Sequence, residues 1–229
     1  MSSPTSFRFL SLISLLLIII NPSQSHSSEF NRRNNGVVYV SLYYESLCPY
    51  SKDFFLNVLE NFIKLDVMSI VHLHLVPYGN ALTMANGTVS CQHGPDECYY
   101  NTIEACALKT YPMRFSLAFI FCIENGLPAT SKKPSLWRTC CNRLRLNPKP
   151  IKNCYSRHGN QLHRHNGRET NWLNPPLTHT PWLLVNGQYV NADFGDLVKS
   201  VCNAYKGPLR FRACKRWKVE NMSNKRVFP

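Results

Sequence analysis

From Val37 to Tyr44 the chain is an almost unbroken run of β-branched and aromatic residues, which predicts a buried, central strand over Gly36 to Tyr44. The period then changes. Pro49 suits the first position of a helix, and Phe55, Val58, Leu59, Phe62 and Ile63 recur at helical spacing behind it. Val67 to Val76 reads as a second strand, with His72 and His74 alternating against Val71, Leu73 and Leu75 and facing solvent together. Strand, helix and strand make a βαβ unit. Near the other end Trp182 to Val185 predicts a strand and Asn186-Gly187 a hairpin turn. Gln188 to Asn191 returns as the next strand, and a helix from Asp193 to Tyr205 places Phe194, Leu197, Val198 and Val201 on one face. Between the halves, over about residues 80–175, helical periodicity and Pro-marked turns predict a cysteine-rich helical insertion. No internal repeat is found.

The first 25 residues stand apart. Arg8 precedes an apolar run from Phe9 to Ile20, Pro22 breaks it, and small Ser23 and Ser25 follow, which is the pattern of a cleaved signal peptide. A run of this length falls short of the ~20 residues that span a hydrocarbon core. Residues 26–35 read as a disordered leader, 36–214 as one domain carrying the insertion, and 215–229 as a basic tail. No second long apolar run follows, so the expected mature protein has no transmembrane segment and travels the secretory pathway. Ten cysteines in an oxidising route imply disulfides rather than metal sites. Two sequons, at Asn86 and Asn221, fit the same route. The formal net charge of +13 is concentrated: ten Lys or Arg and no acid lie between Asn125 and Arg168. Such blocks read as solvated faces or as surfaces that steer acidic partners, and nucleic acid is not an expected partner behind a signal peptide.

Cys48 falls where the first strand gives way to the Pro-started helix, and Ser51 stands three residues on. A dithiol oxidoreductase uses one thiol to attack a disulfide and a second to expel the substrate. Here the first is a thiol and the second a hydroxyl. Free N–H groups and the dipole at a helix start favour a thiolate, the form that attacks. Ser51 is placed to donate a hydrogen bond to it but not to resolve a mixed disulfide, so the chemistry expected of the pair is monothiol exchange, isomerisation or trapping. The rival reading makes Cys48 a buried structural cysteine or a partner of Cys141.

The other cysteines bracket Pro-containing turns. Cys91 and Cys98 flank Gly94-Pro95, Cys106 and Cys122 flank Tyr111-Pro112, Cys140 and Cys154 flank Asn147-Pro148, and Cys202 and Cys214 flank Gly207-Pro208. A turn folds the chain back, so these four pairs are the expected disulfides, with Cys141 able to replace Cys140. His93 beside Cys91 and Cys98 raises a metal site, but no second pair of ligands accompanies it, so a structural role in a closed loop is expected and no metal. His163 and His165 beside Arg164 read as a solvated patch that gains charge in acid, and Trp172 and Trp182 as core.

The segment Cys91-Gln92-His93-Gly94-Pro95-Asp96-Glu97-Cys98-Tyr99-Tyr100-Asn101, closed by Cys106, resembles the CQHG-x2-EC-x2-N-x4-C signature of the gamma-interferon-inducible lysosomal thiol reductase family. The likeness extends from about Val37 to Cys214, and the run Leu42-Tyr43-Tyr44-Glu45-Ser46-Leu47-Cys48-Pro49-Tyr50 looks most like its plant members. The resemblance implies an α/β, thioredoxin-like fold with a disulfide-rich helical insertion. It also implies reduction of protein disulfides in a lysosomal or vacuolar lumen or outside the cell. Family members carry C-x-x-C, from which Ser51 departs. The resemblance further implies a cis Thr180–Pro181 bond lying against Cys48, with the Thr180 backbone free to pair with an extended substrate; on the residues alone Pro181 reads as the first residue of a strand. Disulfide-containing proteins are then the expected substrates, a small thiol the expected resolving reductant, and no cofactor is called for. The alternative is a catalytically silent secreted glycoprotein of the same fold that acts as a binding protein.

Overall fold

Strand β1 (Val38–Tyr44) lies inside a four-stranded sheet of order β2-β1-β5-β6. The computed structural model describes residues 36–127, 135–207 and 211–215; the signal peptide read at residues 1–25, the leader read at 26–35, Pro208, Asn221 and all of the basic tail but Lys215 lie outside the described residues. Strand β2 (Val71–Pro77) runs parallel to β1, with Leu42 opposite Leu75. On the other side β5 (Trp182–Val185) pairs antiparallel, with Leu42 opposite Leu183, and β6 (Gln188–Val190) forms the edge. The β5–β6 turn is Asn186-Gly187, whose φ angles of 48° and 78° are the positive pair that a tight hairpin requires. The Asn186 side chain also accepts the Tyr39 N–H at 2.9 Å, tying the turn to β1.

The two-residue period of β1 divides the interior. Val38, Val40, Leu42 and Tyr44 enter the main core, while Tyr43 joins Val76, Trp182 and Leu184 on the opposite face. Helix α1 (Pro49–Asp53) begins just past β1 and continues through a widened π-helical stretch, Phe54–Leu59, into a last turn, Glu60–Phe62. It buries Phe54, Phe55, Leu59 and Phe62. The second strand starts later than expected. Asp66–Ile70 forms a 3-10 turn, whose three-residue period brings Val67 and Ile70, both buried, to one side.

The insertion holds a short hairpin, β3 (Leu82–Thr83) with β4 (Val89–Ser90), and four helices: α2 (Pro95–Thr110), α3 (Met113–Gly126), α4 (Leu136–Arg143) and α5 (Pro148–Asn171). Helix α6 (Phe194–Ala204), capped by the Asp193 side chain, closes on the main core with Leu197, Val198 and Val201.

Two of the expected cysteine pairings are corrected. Cys91 joins Cys98 and Cys202 joins Cys214, but Cys106 joins Cys154 and Cys122 joins Cys140. Cys106 and Cys122 stand unequally far from the Tyr111-Pro112 link, and at 1.5 Å per residue that offsets them by about 7 Å along their helices. The pairing follows helix packing instead. Helix α5 returns along α2, where the α-carbon of Gly159 is closed off by Thr102, and α4 lies on α3, where Gly126 meets Leu136. Cys141 is left free and buried.

Two further expectations fail. His163 is buried, not solvated, because α5 packs it between Thr102 and the Tyr78 ring, and burial lowers its pKa to about 4. Trp172 is 87% exposed, since it caps α5 beyond the packed face, whereas Trp182 is buried as expected.

Candidate active site

Cys48 is the N-cap residue of α1, in extended backbone conformation, with Pro49 filling the first helical position. Leu47 just before it has φ 68°, a left-handed conformation uncommon for a branched side chain, so the turn from β1 into α1 holds local strain at the thiol. Cys48 is only 4% exposed and forms one wall of a small cavity of about 130 Å³, shared with Leu47, Pro49, Lys52, Glu124 and Leu127. The cavity is mostly apolar, with Lys52 and the buried acid Glu124 in its lining. It is room for a single side chain of a bound segment. A larger cavity of about 790 Å³ lies between the Asn86–Val89 loop and helices α2 and α5, and it shares no residue with the Cys48 wall.

Thr180 meets the thiol from the opposite side. The Thr180–Pro181 bond is cis, and Thr180 Oγ1 lies 3.4 Å from Cys48 Sγ and 3.0 Å from Glu45 Oε1. Ser51 is fully buried, and its Oγ accepts the Glu45 N–H at 3.4 Å. The hydroxyl is therefore bound to the turn that precedes the thiol. Lys52 Nζ donates to the Leu127 carbonyl at 2.9 Å, bringing a positive charge to the rim of the cavity.

The residues that the sequence reading missed are acids. Glu45 is 1% exposed; its Oε2 accepts the Asn80 N–H at 2.7 Å, and its Oε1 lies 3.8 Å from His93 Nδ1. His93 is held in turn by Glu97, whose Oε2 receives the His93 backbone N–H and lies 2.7 Å from Nδ1. Asn101 completes the bracket, its Oδ1 accepting the Ser46 N–H at 2.8 Å and its Nδ2 donating to Glu97. The signature residues His93, Glu97 and Asn101 thus close on the turn that carries Cys48. Farther along α2, Glu104 accepts the Tyr44 hydroxyl at 2.7 Å and pairs with buried Glu124 of α3. The signal was present in the sequence. Glu97, Asn101 and Glu104 lie at helical spacing i, i+4 and i+7, a polar stripe on a helix with few other reasons to bury one.

Burial raises the carboxyls of Glu97, Glu104 and Glu124. Glu97 is pushed up to about 7 by desolvation and by the Glu45 charge, against the hydrogen bonds from His93. Glu104 rises to about 8, again through burial, and Glu124 rises well above the ordinary range through burial and the Glu104 charge. Two groups of side chains among the described residues have ligand atoms close enough for a cation, within 4.8 Å of one another: Glu45 with His93 and Glu97, and Cys91 with Cys98 and His163. The cysteines of the second are joined in a disulfide, and the carboxylates of the first already accept N–H and O–H donors. At the exposed Asn86, the side-chain oxygen accepts both the N–H and the hydroxyl of Thr88. No helix of the described residues is long and apolar enough to cross a membrane.

The family model described as gamma interferon inducible lysosomal thiol reductase matches residues 39–144. The gamma-interferon-responsive lysosomal thiol protein of Arabidopsis thaliana is 36% identical over 178 residues, covering 76% of this chain and 73% of that protein. The gamma-interferon-inducible lysosomal thiol reductase of Mus musculus is also 36% identical, covering 74% of this chain and 68% of that protein. Among solved structures, BdbD from Bacillus subtilis superposes with a TM-score of 0.59 at 16% identity, over 76% of this chain and 91% of that one. DsbA from Mycobacterium tuberculosis gives 0.58 at 16% identity, over 80% and 88%. At such identity these two show the fold alone, which is thioredoxin-like with a disulfide-rich helical insertion.

Proposed function

This chain belongs to the gamma-interferon-inducible lysosomal thiol reductase family, a family of thiol–disulfide oxidoreductases, and from that premise we propose that it exchanges protein disulfides through Cys48 as a monothiol. One observation carries the reading: Cys48 caps α1 against Thr180 of a cis Thr180–Pro181 bond, while the residue three positions on is a buried serine held by the Glu45 N–H. The thiol attacks a substrate disulfide and a mixed disulfide forms. Ser51 has no sulfur with which to expel the product, so a small thiol from solution resolves the intermediate. The substrate presents its cysteine at the cavity beside Cys48, and its backbone runs along Thr180 and Pro181. The names of the relatives, together with the signal peptide read in residues 1–25 and the sequon at Asn86, support a lysosomal or vacuolar lumen reached through the secretory pathway, with glycosylation at Asn86 on the way.

The test is covalent capture. Incubated with a disulfide-containing protein without added thiol, the natural protein is expected to give a reducible complex on non-reducing gels. Cys48→Ser should give none, and a small thiol should dissolve the complex of the natural protein. A natural protein that forms no complex while remaining folded leaves the binding-protein reading in its place.

A further inference from the structure

We propose that Glu45, with the His93–Glu97 pair of the signature, forms a proton path that serves Cys48 through the Thr180 hydroxyl. The proposal rests on the monothiol reading of Cys48. Its geometry is a chain of four contacts: Cys48 Sγ to Thr180 Oγ1 at 3.4 Å, Thr180 Oγ1 to Glu45 Oε1 at 3.0 Å, Glu45 Oε1 to His93 Nδ1 at 3.8 Å, and His93 Nδ1 to Glu97 Oε2 at 2.7 Å. The Thr180 hydroxyl has a single proton and two neighbours. When it donates to Glu45, its lone pair faces the thiol and receives the S–H. Before the step Glu45 is an acceptor at both oxygens, Oε1 from Thr180 and Oε2 from the Asn80 N–H.

Exposure gives the chain a direction. Cys48, Thr180, Glu45 and Glu97 are all buried, and the His93 side chain, at 28%, is the one member that reaches solvent. A buried thiol must lose its proton to attack, and water does not surround it. As Cys48 Sγ–H passes its proton to Thr180 Oγ1, Thr180 passes its own to Glu45 Oε1. The Cys48 sulfur bonds to one sulfur of the substrate disulfide, the disulfide bond breaks, and the second sulfur leaves as a thiolate that takes a proton from water. The substrate disulfide is exchanged for a mixed disulfide, and no outside oxidant or reductant enters the step. Glu45 Oε1 then holds the proton; the 3.8 Å to His93 Nδ1 is an ion-pair distance, and its shortening carries the proton to the imidazole, hydrogen-bonded to Glu97, whose exposed edge releases it. Among the described residues, the other titratable groups near the thiol are Lys52 of α1 and Glu124 of α3, on the cavity side. This assigns a task to His93 and Glu97, which otherwise only close a loop. The three acid-path residues are positioning residues, since they act on Cys48 through Thr180.

The experiment follows the reaction of the full-length protein with a small aromatic disulfide whose released thiol absorbs light, from acid to alkaline pH. Thr180→Val and Glu45→Gln should slow Cys48 about a hundredfold at acid pH, the size expected of a lost acid–base group. Both should converge on the natural protein above about pH 8.5, where hydroxide removes the thiol proton directly. Thr180→Ser should keep the natural profile, and His93→Gln should displace its midpoint. Should Glu45→Gln fail to fold, the Thr180→Val and Thr180→Ser pair decides, because the two differ in whether a hydroxyl is present. Profiles lowered equally at every pH, or unchanged, overturn the proton path while leaving the monothiol function standing. A natural protein whose Cys48 stays inert overturns the function itself, and the path with it.

Discussion

Ser51 and the signature residues divide the work around one sulfur. The serine hydroxyl accepts the Glu45 N–H, Asn101 accepts the neighbouring Ser46 N–H, and between them the strained turn at Leu47 is fixed so that Cys48 points at Thr180. Asn101→Ala would leave the buried Ser46 N–H without a partner, at a cost of about 1–3 kcal/mol in stability, and should slow Cys48 exchange; urea unfolding and the capture assay measure the two effects. Cys141 makes a contrast within the same chain. Burial pushes its thiol up to about 11, so at about neutral pH a native protein treated with iodoacetamide should carry label at Cys48 and none at Cys141, with both labelled after denaturation. Peptide mapping reads the result directly. Label on Cys141 in the native protein would show that the α4 interior is open to reagent.

At the scale of elements, the insertion is held by covalent ties between helices that are distant in sequence. Cys106–Cys154 closes a loop of 48 residues and fastens α5 to α2, the helix that carries Glu97 and Asn101. Replacing both cysteines by alanine should lower stability by about 4 kcal/mol on the chain-entropy scale, measured by urea unfolding, and loosen the bracket on the Cys48 turn. Strand β1, the Asn186-Gly187 hairpin and α6 were legible in the sequence because their signals are local: a period of two, a turn dipeptide, a helical face. The cysteine pairing was not. It depends on which helix packs on which, and the Pro turns mark only where the chain reverses. For the same reason His163 escaped: its histidine-rich surroundings read as surface, and only the approach of α5 to Thr102 and Tyr78 buries it. Glu45 carries no local signal of its own. Nothing local to Leu42–Cys48 reveals that His93 and Asn80, from other elements, close around it.

The molecule as a whole carries its buried acids in a way that favours low pH. Glu97, Glu104 and Glu124 all have raised folded-state values, so the fold holds more protons than the unfolded chain, and stability falls as pH rises from about 4.5 through 7 to 8. His163 works against this between about pH 6.5 and 4, where the unfolded chain binds a proton that the fold refuses, but it is one group against three. The Tm should therefore be higher by several degrees at about pH 5 than at about pH 8, as scanning calorimetry would register, and a Tm that rises toward pH 8 would contradict the buried-acid arrangement. Such a profile suits the acidic lumen proposed above, in which the proposed monothiol chemistry would operate. That chemistry is tested most directly by the lifetime of the mixed disulfide on Cys48. With a peptide disulfide as substrate and no added thiol, the complex of the natural protein should persist. In Ser51→Cys it should decay by intramolecular attack, with the peptide thiol released and a new disulfide left between Cys48 and the introduced thiol. A natural complex that decays as fast as that of the variant would contradict the account, because a resolving group other than residue 51 would then be at work.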